Sequence, residues 1–174
     1  VVEGYSQSEF SYEGVTRSVY RRGSGPAIIV MHEIPGVHPT VIRFANLLAE
    51  AGFTVVMPEF LGTAGRPVTP GYTLTSLGRA CIAREFHVLA SNHSSPITDW
   101  LRALCRATHE EIGGAGIGAI GMCLTGNFAL AMMMEPSLLA PVLCQPSLPF
   151  PLGEARKRAL HVSQGELAAA KQKA

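Results

Sequence analysis

Cys123 stands in Ala119-Ile-Gly-Met-Cys-Leu-Thr-Gly-Asn-Phe-Ala-Leu-Ala131: a short apolar stretch from Gly116 to Met122, a tight turn, and a second apolar stretch of helical character. The pattern G-x-C-x-T-G puts the cysteine at the tip of a strand–turn–helix elbow, from which a side chain can reach out as a nucleophile. Backbone at such a tip is cramped. Gly121 and Gly126 would let strand and helix close on one another, and the helix start would turn its free N–H groups toward the reacting centre. The same helix end favours thiolate over thiol, and thiolate is the nucleophilic form. The competing reading is a small buried hydrophobe at a strand–helix junction, since free cysteine is among the most buried residue types. The local pattern favours the nucleophile.

A second polar group follows another apolar run. Ala27-Ile-Ile-Val-Met31 leads straight into His32-Glu33-Ile34-Pro35-Gly36. A carboxylate closing so apolar a strand points to function more than to simple solvation. In an open parallel sheet, groups placed after strand ends face one crevice, which would bring Glu33 and Cys123 together. His32 points opposite to Glu33 in an extended chain and reads as a supporting residue behind it. His38, His87, His93 and His109 read as solvated loop or helix-face positions. His161, in Ala159-Leu-His-Val-Ser, reads as an exposed residue flanking the last helix. Met132-Met-Met134 reads as core filler. Cys81, Cys105 and Cys144 read as buried small residues, and Arg156-Lys-Arg158 as a solvated helix face.

These groups must be held by regular elements. Residues 1–25 read as an edge hairpin, roughly Glu9–Tyr12 and Val15–Arg21, with Glu13-Gly14 at the turn. Ala27–Met31 has the β-branched continuity of a central strand buried on both faces. Pro39 or Thr40 opens an amphipathic helix closed by Gly52, and Thr54–Met57 is the next strand. That strand–helix–strand unit implies a right-handed parallel crossover. Glu59 to Thr75 reads as a long surface loop of the kind that borders sites. Helical spacing follows over Leu74–Ala90, broken at 91–96. A helix capped by Thr98 or Asp99 then runs from Trp100 to about Glu111. After the elbow, a helix from about Asn127 to Met134, a strand over Leu139–Cys144 and helices over Glu154–Leu160 and Gly165–Ala174 complete the chain. The alternation predicts one α/β domain with a mostly parallel sheet and helices on both faces, the N-terminal hairpin belonging to the same domain.

Composition narrows the functions. The 174 residues carry 14 Lys+Arg against 13 Asp+Glu, a net charge of +1, which gives no reason to expect nucleic acid or an anionic membrane surface as partner. No apolar run approaches the ~20 residues of a membrane span. There is no signal-peptide pattern, and the four cysteines lie at unrelated spacings, against a disulfide framework or a zinc site and for reduced thiols in a cytoplasm. No metal and no cofactor is expected, and a monomer or weak homodimer is. The chain opens Val1-Val2-Glu3 without methionine and closes in Glu166-Leu-Ala-Ala-Ala-Lys-Gln-Lys-Ala174, good helix sequence with no stop signal. Both features point to a fragment.

Three segments in order, M-H-E-I-P-G, G-M-C-L-T-G-N and Q-P-S-L-P, resemble the dienelactone hydrolase family of α/β-hydrolases, from about Ala27 to Pro151. The resemblance implies an α/β-hydrolase-type sheet, incomplete here at its C-terminus, and a cysteine hydrolase acting on a small ester or lactone, with a carboxylate on the substrate a possibility. Cys123 matches the family nucleophile. Glu33 matches the glutamate that helps switch thiol to thiolate when substrate arrives. The backbone N–H groups of Ile34 and Leu124 match the oxyanion-hole donors. Arginines hold a substrate carboxylate in the family, and Arg84 and Arg79 are the candidates here. Two departures stand out. The aspartate and histidine that complete the family's triad fall downstream of Ala174, and none of the six histidines takes that place in order. Thr125 stands where many members carry glycine, and a β-branched residue there would tighten the turn.

Two other functions compete. A non-catalytic binding protein that kept the fold would be favoured by a natural stop codon after Ala174 and excluded by a downstream aspartate and histidine. A thiol redox protein would need a resolving cysteine near Cys123, and only Cys144 could provide it through space.

Overall fold

The hairpin predicted at the N-terminus is longer than its apolar residues alone indicate. Ser6–Tyr12 (β1) and Val15–Arg22 (β2) pair antiparallel over their whole length. Glu13 and Gly14 between them have φ of 48° and 78°, the left-handed pair that a two-residue hairpin turn requires. This hairpin joins the main sheet edge-on, β2 pairing antiparallel with β4 (Thr54–Pro58).

The remaining sheet is parallel. In this computed structural model, which describes residues 2–82, 95–146 and 162–173, β3 (Ala27–Met31) lies between β4 and β5 (Ile117–Met122). β6 (Leu138–Cys144) pairs with the outer side of β5, giving the order β1-β2-β4-β3-β5-β6. β3 and β5, which lead into Glu33 and Cys123, are therefore neighbours, with Met31 opposite Gly121. β6 is an edge strand and leaves Leu139, Val142 and Leu143 exposed. Cys144 at its end is half-buried, not enclosed, β5 being the one strand beside it among the described residues.

Alternation along the strands sends side chains into two cores. Ile28, Val30, Val55 and Met57 face α1 (Pro39–Glu50) through Val41 and Ala45. Ile29, Met31, Val56 and Ala119 face the opposite layer. That layer is α3 (Pro96–Ile112), through Trp100, Leu101 and Leu104, and α4 (Gly126–Ala131), through Phe128 and Ala129. Helices thus cover both faces of a mixed, mostly parallel sheet. Among the described residues no helix is long and apolar enough to cross a membrane.

Several boundaries differ from those read in the sequence. The helix after β4, α2 (Pro70–Ile82), starts four residues before Leu74, with proline at its opening where the missing N–H costs nothing. The loop before it shrinks accordingly. Likewise α3 begins at Pro96, its Ser95 N–H accepted by Thr98 Oγ1 at 3.1 Å, so Thr98 lies inside the first turn instead of capping it. α1 ends at Glu50 with Ala51 as its C-cap, and Gly52 with φ 91° is the left-handed residue just beyond. The helix expected over Asn127–Met134 is three pieces: a 3₁₀ turn at Cys123–Thr125, α4, and a 3₁₀ turn at Met132–Met134. Met132 is core, whereas Met134 is 46% exposed. α5 (Gln164–Lys173) packs on α4 and on the Met132–Met134 turn, with Glu166 fully buried against Arg102. The expected helical stretches over 83–90 and 154–160 lie outside the described residues. So do His87, His93, His161, the basic run at 156–158 and the side chain of Cys81.

Candidate active site

The elbow is built by close backbone contact. Cys123 has φ 55°, a left-handed conformation that costs a non-glycine residue on the order of 1–3 kcal/mol and persists only where the surroundings enforce it. Gly121 is part of that enforcement: a Cβ there would sit 2.2 Å from the Thr125 carbonyl oxygen. Gly126 does a different job from the strand–helix closure expected of it. Its missing Cβ makes room for Pro146, just after β6, whose Cβ would lie 2.8 Å away.

Thr125 is buried, and its hydroxyl ties the turn together. Oγ1 accepts the Met122 N–H at 2.9 Å and is within donating distance of the carbonyls of Met122, at 2.9 Å, and Met31, at 3.0 Å. A glycine could make none of these bonds. Cys123 at the tip is half-buried and, like Cys105 and Cys144, forms no disulfide with a described residue. Cys105 is fully buried on α3.

The turn after β3 is held from behind. His32 is buried, and both its ring nitrogens are engaged: Nε2 accepts the Phe60 N–H at 3.0 Å and Nδ1–H donates to the Glu33 carbonyl at 2.8 Å. A nitrogen that accepts must be unprotonated, so the ring is neutral. Its pKa agrees: burial pushes it down to about 4, with the charges of His38 and Arg17 in the same direction and the Glu33 carbonyl opposing. Next in the turn, the Ile34–Pro35 peptide is cis. Gly36 follows so close to the loop after β4 that a Cβ would meet the Leu61 carbonyl oxygen at 2.5 Å.

These two turns meet. His32, Glu33, Ile34, Phe60, Leu61, Leu124 and Thr125 line one narrow cleft. Ile34 and Leu124 thus both line it, after neighbouring parallel strands. Phe60 anchors the floor, its ring 5.2 Å from that of His32 and 6.1 Å from that of Phe128. Arg79, on α2, is exposed and lies outside this cleft, lining an adjoining open groove of about 370 Å³ with Arg17, Glu59, Phe60 and Leu61. Arg84 lies outside the described residues.

Two histidines sit differently from their sequence reading. His38 is not solvated: it is 4% exposed at the N-terminus of α1, with Nε2 3.3 Å from Glu33 Oε1. The Pro35–Gly36 turn folds it back over the strand end, where spacing along the chain gives no sign of the contact. His109 is half-buried on α3, with Nδ1 covered. Phe60 and Thr125 likewise gain their roles only from packing. Among the described residues no cluster of three or more His, Cys, Asp or Glu is arranged to hold a metal ion.

The model of the dienelactone hydrolase family matches residues 15–158. Carboxymethylenebutenolidase from Rhodococcus opacus is 31% identical over 108 residues, which are 62% of this chain and 38% of that protein. The matched region is thus well under half the length of that relative. A solved structure from Klebsiella pneumoniae subsp. pneumoniae, provisionally assigned as a dienelactone hydrolase, covers 97% of this chain and 79% of its own, with TM-score 0.58 and 18% identity. A thioesterase domain from the curacin biosynthetic pathway covers 97% and 52%, with TM-score 0.55 and 16% identity. At such identities these two bear on the fold alone, and the fold they share with this chain is the α/β-hydrolase type. With most of its length matched by the family model, the chain belongs to the dienelactone hydrolase family.

Proposed function

We propose that this chain carries the nucleophile half of a carboxylic ester or lactone hydrolase that works through an acyl-enzyme on Cys123. The observation that supports this best is the meeting of the two turns: Leu124 and Thr125, which follow Cys123 in the left-handed elbow after β5, share a cleft with Glu33 and Ile34. The Cys123 thiolate attacks the carbonyl carbon, a C–S bond forms and the π pair moves to oxygen. Backbone N–H groups of Ile34 and Leu124 receive that oxyanion, each donor worth roughly 3–4 kcal/mol. Collapse expels the alkoxide, which takes up a proton, and water then releases the acid and restores the thiol. Glu33 assists conversion of thiol to thiolate. Arg79, beside the cleft, and Arg84 are the candidates for a substrate carboxylate.

No residue of these 174 is assigned the role of base. His32 is neutral and bonded at both nitrogens, and His38 is turned to Glu33. Proton transfers by a positioned base contribute roughly 10²–10⁴-fold each, so turnover by these residues alone is expected to be negligible. The test is hydrolysis of a p-nitrophenyl ester by this chain and by one extended to the end of its natural reading frame. A large gain on extension, abolished by Cys123→Ala, is expected. Equal rates from the two chains would overturn the missing base, and full activity in the extended Cys123→Ala variant would overturn the nucleophile.

A further inference from the structure

We propose that His38 is a positioning residue for Glu33, its Nε2–H donating to the carboxylate and holding it in one orientation beside the elbow. The inference rests on the role given to Glu33 above. Glu33 follows a strand on a turn, and its side chain is 42% exposed, so unaided it would sample several rotamers. His38 is the opposite: its side chain is 5% exposed, with Nε2 3.3 Å from Glu33 Oε1. The backbone around it is fixed. The His38 N–H donates to Gly36 O at 2.8 Å, its carbonyl receives the Ile42 N–H at 3.0 Å, and the Val37 carbonyl receives the Gly65 N–H at 2.8 Å.

The remaining ring nitrogen strengthens the assignment. His38 Nδ1 is buried with no hydrogen-bond partner among the described residues, so Nε2 is the ring's polar link. Val37 and Val41, on either side of His38, are core residues. A buried polar group is kept at a cost, and here the contact it makes is with the exposed carboxylate. His38 stands five residues after Glu33, and the path of the turn between them brings the two side chains together.

Two measurements on the whole chain test this. In ¹⁵N-histidine-labelled protein, a protected imidazole N–H resonance assigned to His38 is expected, lost in His38→Gln and displaced or lost in Glu33→Gln. The same resonance unchanged in Glu33→Gln would overturn the proposal, whatever the reactivity of Cys123. The second measurement is iodoacetamide labelling of Cys123 resolved by peptide mass spectrometry. His38→Ala is expected to slow it about threefold or more. His38→Gln, whose amide nitrogen falls near the position of Nε2, restores the rate, and His38→Ala has no further effect in a Glu33→Gln background. Additive effects of the two substitutions, or no rescue by glutamine, would overturn it. If Cys123 labels no faster than Cys144 in the unaltered chain, the hydrolase reading fails, and the resonance still decides the His38–Glu33 contact.

Discussion

Thr125 Oγ1 lies 3.0 Å from the carbonyl oxygen of Met31 and so joins the elbow after β5 to the end of β3, the strand that delivers Glu33. The same oxygen takes the Met122 N–H at 2.9 Å. One hydroxyl therefore fixes both turns of the candidate site relative to each other. Thr125→Val keeps the shape and removes the bonds, leaving the partly buried Met122 N–H without this acceptor at a cost of about 1–3 kcal/mol. Urea unfolding is expected to show that loss, while Thr125→Ser stays within about 1 kcal/mol of the unaltered chain. Equal midpoints for the valine and serine variants would contradict the clip.

Gly121→Ala tests the elbow itself. The added Cβ meets the Thr125 backbone oxygen at 2.2 Å, and a backbone atom cannot rotate away as a side-chain end can. The turn must open, at a cost of about 1–3 kcal/mol or more. For a chain of this size that is a fall of roughly 2–4 °C in Tm per kcal/mol. Thermal unfolding checks it, and an unchanged Tm would mean that the turn is looser than its geometry indicates.

His32 sets an acid limit on stability. The unfolded chain binds a proton at this residue near the ordinary histidine value of 6.5, whereas the folded chain resists until about pH 4. The unfolded state thus binds more protons across that window, so stability is full above pH 6.5 and declines as pH falls to about 4. Below that this group removes nothing more. The loss is on the order of 3 kcal/mol. Urea midpoints at pH 7, 5.5 and 4 are expected to fall more steeply in the unaltered chain than in His32→Gln. Parallel slopes would show that the buried ring is not held neutral.

The strands and the elbow are legible in the sequence because their signals are local. Continuous β-branched runs mark β3 and β4, and glycines around Cys123 mark a cramped turn. The start of α2 is not legible in the same way: helical spacing places it at Leu74, four residues late, because the polar, glycine-rich composition around Pro70 masks its helix-opening signal. The site's internal wiring was not legible. That Thr125 reaches Met31, or that His38 folds back over Glu33, depends on strand order and on the path of the Pro35–Gly36 turn. A hydrogen bond between residues 94 apart leaves no periodic trace in either segment. Phe60 is the same case, an aromatic in a polar loop whose N–H finds His32 only after β3 and β4 pair.

The central claim is that the elbow makes Cys123 a nucleophile, and comparative labelling tests it most directly. Cys105 is fully buried, and Cys144 is half-buried like Cys123, so Cys144 is the internal reference for access. With limiting iodoacetamide at pH 7 and peptide-resolved mass spectrometry, Cys123 is expected to label about tenfold faster than Cys144, as an activated thiolate would. Labelling of Cys123 at or below the rate of Cys144 would contradict the claim.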